Sequence, residues 1–167
     1  MTELMQKERL QPALLDRLTD DEPHKRQESR ERRVLSLKKL KQCVLRDMAW
    51  LLNTTALDAA QDLEGFDEAS HSVINYGIPD LTGKTVSDAD IASIERRLKQ
   101  AIWDFEPRIL RDSVKVRVST TENEMNHNAM SFDIEGDLWA QPLPMRLYIK
   151  TEIDLDIGNV DVIDKSG

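Results

Sequence analysis

The spacing of apolar residues changes once along the chain, from a helical to a strand-like period, close to residue 107. Upstream of that point, two segments place apolar residues three and four positions apart, which predicts amphipathic helices over residues 30–52 and 88–105. The first stripe consists of Val34, Leu37, Leu40, Val44, Met48, Leu51 and Leu52, and the second of Ile91, Ile94, Leu98, Ala101, Ile102 and Phe105.

Downstream of residue 107, apolar and polar residues alternate, which is typical of half-buried strands. The pattern predicts strands over residues 114–120, 130–138, 145–155 and 160–163, with a break at Gly136 and a turn at Gly158-Asn159. Strands joined by short links pair antiparallel, and helices followed by strands indicate an α+β fold. We therefore expect two main amphipathic helices packed on a small antiparallel sheet.

The helix and the first strand meet at Glu106-Pro107-Arg108. Pro107 ends the helix and favours extended geometry at Glu106, so two opposite charges are fixed at a rigid corner. Glu106 and Arg108 share one face if the chain is extended there, which suits either a salt bridge between them or a bidentate contact with another protein.

The segment between the two helices is connecting structure. Residues 57–63 predict a short helix. The apolar residues that follow it are too many for a free loop, so we expect them to pack on the core as a shaped turn; they are Val73, Ile74, Tyr76, Ile78 and Leu81. Residues 1–29 are interpreted as an N-terminal arm and residues 30–167 as a single domain. An apolar cluster at Leu10, Leu14, Leu15 and Leu18 fits either local packing of the arm or docking on a partner.

The composition of the chain argues against several classes of function. The 167 residues carry a formal net charge of −8, which argues against general nucleic-acid binding because phosphate contacts need a basic surface. One cysteine, Cys43, excludes an internal disulfide framework and suits a reducing compartment. No apolar run is long enough to span a membrane, and the first residues lack a signal-peptide pattern. We expect a cytoplasmic protein without membrane insertion.

Catalytic and ligand-binding motifs are scarce. The histidines His24, His71 and His127 are scattered, and no phosphate-binding glycine loop or nucleophile elbow occurs, so we expect no metal, no cofactor and no catalytic residue. Glu106 is the most tempting acid for a glycosidase. A general acid of that kind needs apolar burial away from positive charge, whereas Arg108 two residues on favours the ionised form.

Four segments together resemble the TssE family, the baseplate subunits of bacterial type VI secretion systems, which are similar to the lysozyme-like wedge protein of contractile-tailed phages. The resemblance covers nearly the whole chain from about residue 10, with Ile78 and Ile109 at positions where leucine is common. The segments are Leu14-Leu15-Asp16-Arg17-Leu18 followed by Pro23, Val44-Leu45-Arg46-Asp47 with Leu51-Leu52-Asn53-Thr54, Ser72-Val73-Ile74-Asn75-Tyr76-Gly77-Ile78-Pro79-Asp80-Leu81, and Phe105-Glu106-Pro107-Arg108-Ile109.

The resemblance implies a structural role rather than an enzymatic one. It implies that the protein joins the TssF and TssG subunits in the baseplate wedge, docked at the inner-membrane complex, and supports assembly of the contractile TssB/TssC sheath. It also implies that Glu106, Pro107 and Arg108 bind the sheath, with sheath segments adding to the sheet as strands. Two alternatives stay open: a peptidoglycan hydrolase, and a small regulatory adaptor that binds one protein through the same fold.

Overall fold

The computed structural model describes residues 13–19, 24, 37–81, 88–120, 129–139, 144–154 and 158–165. Four α-helices lie in these ranges: α1 (Leu14–Leu18), α2 (Leu37–Leu52), α3 (Asp67–Ser70) and α4 (Asp88–Phe105). Single turns of 3-10 helix occur at Leu57–Ala59, Val73–Asn75 and Arg111–Ser113. The strands are β1 (Lys115–Thr120), β2 (Ala129–Leu138), β3 (Met145–Asp154) and β4 (Val160–Asp164).

The four strands form one antiparallel sheet in the order in which they follow along the chain. Val116 lies opposite Ile134 in the β1–β2 pair, which sets the inward-facing residues of both strands level with each other. Ile134 in turn lies opposite Ile149 of β3, and Thr151 of β3 lies opposite Val162 of β4. The central strands are thus β2 and β3, and the sheet has two edges, at β1 and β4.

The core lies between the sheet and the two long helices, α2 and α4. Both helices bury most of the stripe that their apolar spacing predicts, because residues three and four apart share a helix face, whereas Leu37 at the start of α2 is exposed. The side chains with the least exposure come from both layers, so one continuous core joins helices and sheet. They are Val44, Met48, Leu52, Leu98, Ile102, Met130, Phe132, Ile134, Leu138, Leu147 and Ile149. The α+β prediction is confirmed.

Three local expectations were wrong, each for a physical reason. Strand β2 does not break at Gly136 but runs on to Leu138. Glycine is needed there for close packing, because a Cβ at Gly136 would lie only 2.6 Å from Cγ2 of Ile109. The helix expected over residues 57–63 is a single 3-10 turn. Val73 and Ile74, expected in the core, are exposed, whereas Ile78 and Leu81 are buried.

Some of the remaining expectations can be compared with the structure, and others fall on residues outside the described ranges. Residues 30–36 of the first predicted helix, together with Leu10 and His127, lie outside the described residues. The turn before β4 has Gly158 at a φ of 74°, as the Gly-Asn pair indicated. Among the helices that the structure describes, none combines the length and apolar character needed to cross a bilayer.

Candidate functional site

The three residues of the predicted sheath-binding motif lie where α4 ends and the chain turns into the sheet. The last turn of α4 extends one bond beyond Phe105, since the Glu106 N–H donates to the Ile102 carbonyl at 2.9 Å. Pro107 follows and stops the helix. Ile109 then forms an antiparallel bridge with Leu138 at the end of β2. The corner, residues 106–108, therefore links α4 to the end of the central strand β2.

Main-chain hydrogen bonds fix the corner against β2. The Trp139 N–H donates to the Arg108 carbonyl at 2.7 Å, and the Leu110 N–H donates to the Asp137 carbonyl at 2.9 Å. These two bonds are the ladder on either side of the Ile109 bridge. The backbone at Arg108 is thus held like a short extra strand, and the direction of its side chain is set by the sheet.

Glu106 faces inward, and its carboxylate is bound by Arg108. Only 3% of Glu106 is exposed. Its Oε1 accepts from the Arg108 Nε at 2.7 Å and from the Arg108 backbone N–H at 3.1 Å, while Oε2 lies 2.5 Å from Arg108 Nη2. This is a two-pronged guanidinium–carboxylate pair, the intramolecular alternative of the two that the sequence left open. Pro107 is exposed and Arg108 is about one-fifth exposed, so these two residues are the part of the motif that reaches the surface.

Arg108 also binds a second carboxylate, which the sequence did not single out. Its Nη2 lies 2.5 Å from Oδ2 of Asp47 on α2, a residue 61 positions earlier in the chain. Asp47 Oδ1 accepts from Arg46 Nε at 2.8 Å, and Arg46 Nη2 lies 2.9 Å from Asp16 Oδ1 on α1. We call these five residues, Asp16, Arg46, Asp47, Glu106 and Arg108, the corner network.

The contact between α1 and Arg108 is looser than the other contacts of the corner network. Asp16 Oδ2 is 4.0 Å from Arg108 Nη1. Among the described residues, both Asp16 oxygens and that Nη1 atom are buried without a well-aligned hydrogen bond, and charge attraction to Arg46 and Arg108 contributes to holding α1 here. The leucines of α1 do not share this contact: Leu14 and Leu18 are about 70% exposed. The division of the chain at residues 29 and 30 stays a prediction.

Electrostatics favour the ionised forms of Asp16, Arg46 and Arg108. Burial alone would lower the pKa of Arg108, but the hydrogen bond and charge of Glu106, followed by those of Asp47, outweigh burial and raise it. Burial alone would raise the pKa of Asp16, but the paired Arg46 and the charge of Arg108 outweigh burial, and that pKa lies below its ordinary value. Each charge is thus compensated by its neighbours, which is the condition for keeping ions in a partly buried site.

This arrangement serves structure better than catalysis. A general acid has to hold a proton and release it to a substrate, but Glu106 is buried and both its oxygens face a guanidinium. Within the described ranges, no three His, Cys, Asp or Glu side chains lie close enough together to hold a metal ion. What the corner network does is tie α1, α2, α4 and the end of β2 to one another.

The two sheet edges beside the corner differ in how they are covered. On β1, the Val118 N–H donates to Oε1 of Glu95 on α4 at 2.9 Å. On β4, Asn53 at the end of α2 binds both the N–H and the carbonyl of Val160, each at 2.9 Å. N–H groups two residues apart along a strand point the same way. The N–H groups of Val116 and Val162 therefore also point outward, away from the sheet.

Comparison with known proteins gives one family. A sequence model for the family described as baseplate wedge protein gp25 matches residues 38–143, well over half of the chain. The matched region includes α2 from its second residue onward, α4, the whole corner, β1 and β2. No curated protein and no solved structure matches the chain significantly.

Proposed function

This chain belongs to the family of baseplate wedge protein gp25, and we propose that it joins the baseplate wedge of a type VI secretion system to the contractile sheath. In this proposal the protein is a TssE-type subunit, located in the cytoplasm where the baseplate docks on the inner-membrane complex. Its partners are TssF and TssG within the wedge and the TssB/TssC sheath above it. The observation that carries the proposal is the family match across both long helices and the corner.

The corner supports the proposal as a rigid mount for the sheet. A subunit on which a contractile sheath pulls has to transmit force without deforming. The corner network fixes the end of α4 to α2 through Asp47 and to β2 through the Arg108 backbone. In this role Pro107 and Arg108 contact the sheath, and Glu106 holds Arg108 in position from behind.

The sheet edges are the second part of the proposed sheath contact. A strand from a sheath subunit can extend the sheet at β1 or β4 through main-chain hydrogen bonds. Adding at β1 requires Glu95 to leave the Val118 N–H, and adding at the start of β4 requires Asn53 to leave Val160. Among the described residues, each edge is covered by a single side chain, Glu95 on β1 and Asn53 on β4. An incoming strand therefore replaces these side-chain hydrogen bonds with equivalent main-chain ones.

Proline scanning of the two edges tests strand addition. Val116 and Val162 form a matched pair, since both are partly buried valines on edge strands with outward N–H groups. Proline is tolerated at such positions but removes the N–H that an added strand needs. We expect Val116→Pro or Val162→Pro to stop sheath assembly, seen as loss of fluorescent sheath structures in cells, while the other variant behaves as wild type. Normal sheaths with both folded variants would exclude strand addition.

Two further assays separate the alternative functions. Co-purification with TssF and TssG is expected for a wedge subunit, whereas a regulatory adaptor on the same fold would bring down one unrelated protein. A peptidoglycan hydrolase would release reducing sugar from cell-wall material between acid and neutral pH. We expect no release, because the Glu106 carboxylate is occupied by Arg108.

A further inference from the structure

Residues 66–75, which we call the apolar turn, place large apolar side chains in solvent. Val73 is 81% exposed, Ile74 66% and Phe66 65%. Single exposed apolar residues are common on protein surfaces, but three within ten residues form a concentrated feature. The apolar spacing of this segment predicted burial, and the structure buries only its far end, at Ile78 and Leu81.

Polar groups inside the apolar turn keep it in shape. The side chain of Asn75 is buried; its Oδ1 accepts from the Asp58 N–H and its Nδ2 donates to the Ser70 carbonyl, both at 2.9 Å. Ser72 caps the 3-10 turn by accepting from the Ile74 N–H and donates to the Ala69 carbonyl. The apolar side chains therefore point outward from a backbone that is internally hydrogen bonded, and a fixed conformation lowers the entropic cost of binding.

The base of the apolar turn is anchored to the rest of the fold. The Ile78 N–H donates to the Thr54 carbonyl at 2.8 Å, and the Ala56 N–H donates to the Ile78 carbonyl at 2.9 Å. Gly77, at a φ of 136°, lets the two segments approach this closely, because a Cβ there would lie 2.4 Å from the Thr54 carbonyl oxygen. The ring of Tyr76 packs edge-on against Phe105 at 5.1 Å. These contacts tie the base of the apolar turn to residues 54–56 and to the end of α4.

Apart from His71, the charged side chains of residues 57–80 are all acidic, and one of them, Asp58, is paired with Arg97 of α4. Residues 57–80 contain six acidic side chains and no lysine or arginine. Four of the acids, Asp62, Glu64, Asp67 and Glu68, are exposed and flank Phe66 in the sequence. An apolar centre with an acidic rim matches a partner surface that has an apolar recess and a basic rim.

We propose that the apolar turn is a docking surface for a second protein, which receives Phe66, Val73 and Ile74 in an apolar recess rimmed by lysine or arginine. This surface lies outside the corner and both sheet edges, so it gives the chain a contact beyond the proposed sheath attachment. The acidic rim speeds and orients the encounter, and burial of the three apolar side chains supplies the affinity.

Site-specific cross-linking identifies the partner in cells. A photo-reactive amino acid replaces Ile74 in one strain and the exposed Leu37 of α2 in a control strain. We expect position 74, but not position 37, to cross-link to one other protein, at a peptide that combines apolar residues with lysine or arginine. No cross-link at position 74, or a cross-link only to a second copy of this chain, would overturn the proposal.

Binding of the purified cross-linked protein then measures the contribution of the apolar turn. We expect Val73→Ser with Ile74→Ser to weaken binding at least tenfold, equivalent to about 1.4 kcal/mol, and Leu37→Ser to leave it unchanged. Asp67→Lys with Glu68→Lys should slow association most at low salt. Unchanged affinity in the Val73 and Ile74 variant would refute the docking surface. Sheath assembly and TssF/TssG co-purification of the same variants score the proposed baseplate function separately.

Discussion

The corner network places charged side chains in buried or partly buried positions, whereas the apolar turn places large apolar side chains in solvent. In the corner network, charged residues lie inside: Glu106 is 3% exposed and bound to Arg108. In the apolar turn, Val73 and Ile74 lie outside, while the polar Asn75 is buried and holds the backbone. Residue type alone therefore does not tell scaffold from interface. The partners available to each group make the difference. A buried polar atom needs a hydrogen-bond partner. Large apolar side chains clustered in solvent indicate a surface that a second protein can cover.

The two regions are also physically joined, at Tyr76. Its ring packs against Phe105 at the end of α4, and its hydroxyl lies 3.5 Å from the carbonyl oxygen of Asp47, a member of the corner network. Burial, followed by the charges of Asp47 and Glu106, raises the pKa of Tyr76 and keeps the hydroxyl protonated as a donor. The contrast between the regions can be tested by substitutions on either side of this link.

The largest effect is expected from breaking the ion pair of the corner network. Arg108→Met leaves the buried Glu106 carboxylate without its guanidinium, which should lower the free energy of unfolding by about 3–5 kcal/mol. Urea denaturation measures the loss. The double variant Glu106→Met with Arg108→Met is the control and should lose less than Arg108→Met alone, since no unpaired charge remains. Equal losses would show that the pair is not the source of stability.

Ile74 and Ile78 test the boundary between the exposed and buried parts of one short segment. They are 66% and 6% exposed, respectively. Ile78→Ala should cost about 2–5 kcal/mol because it opens a cavity in the core. Ile74→Ala should stay within about 0.5 kcal/mol of wild type. Thermal unfolding of the two variants, side by side, checks the comparison. A similar loss for both would mean that the apolar turn packs on the fold after all.

Asn75 tests whether buried polar groups stabilise the apolar turn. Asn75→Ala leaves the Asp58 N–H and the Ser70 carbonyl without their partner. Leaving such groups unsatisfied should cost about 1–3 kcal/mol. Asn75→Asp keeps an acceptor for the Asp58 N–H but places a carboxylate oxygen against the Ser70 carbonyl, so its loss should be at least as large. Hydrogen exchange at the Asp58 amide reports the change locally, and protection equal to that of wild type in Asn75→Ala would contradict this role.

The smallest effect is expected from His71, which joins the apolar turn to α4 by a 2.8 Å contact between Nδ1 and Oδ2 of Asp104. The hydrogen bond and charge of Asp104 raise the pKa of His71 above its ordinary value of 6.5. Stability from this contact is therefore full below about pH 6.5 and is lost as the pH rises through the higher folded-state pKa.

Proton titration of His71 by NMR, with unfolding of wild type and His71→Gln compared from pH 6 to 8, measures this effect. The difference in stability between the two proteins should shrink as the pH rises. A folded-state pKa at or below the ordinary value, or a difference that grows with pH, would rule the contact out.

Much of the fold follows from local patterns. The burial of Ile94, Leu98 and Ile102 repeats their spacing, and the strand bounds agree with the alternation to within a residue or two. Gly136 shows the limit of such patterns. Glycine often marks the end of a strand, but Gly136 lies inside β2, where it leaves room for the side chain of Ile109. Nothing near Gly136 in the sequence announces that neighbour.

Local sequence patterns are enough to predict the two long helices, the alternating strands and the place of the corner, because apolar periodicity and a proline act over a few residues. Long-range packing, by contrast, turns Glu106 inward, brings Asp47 to Arg108 as a second carboxylate, and leaves Val73 and Ile74 facing outward. These outcomes depend on groups up to 61 positions apart that meet only when the helices pack on the sheet. The Glu-Pro-Arg corner therefore presents Pro107 and Arg108 at the surface, with the Glu106 carboxylate buried behind them.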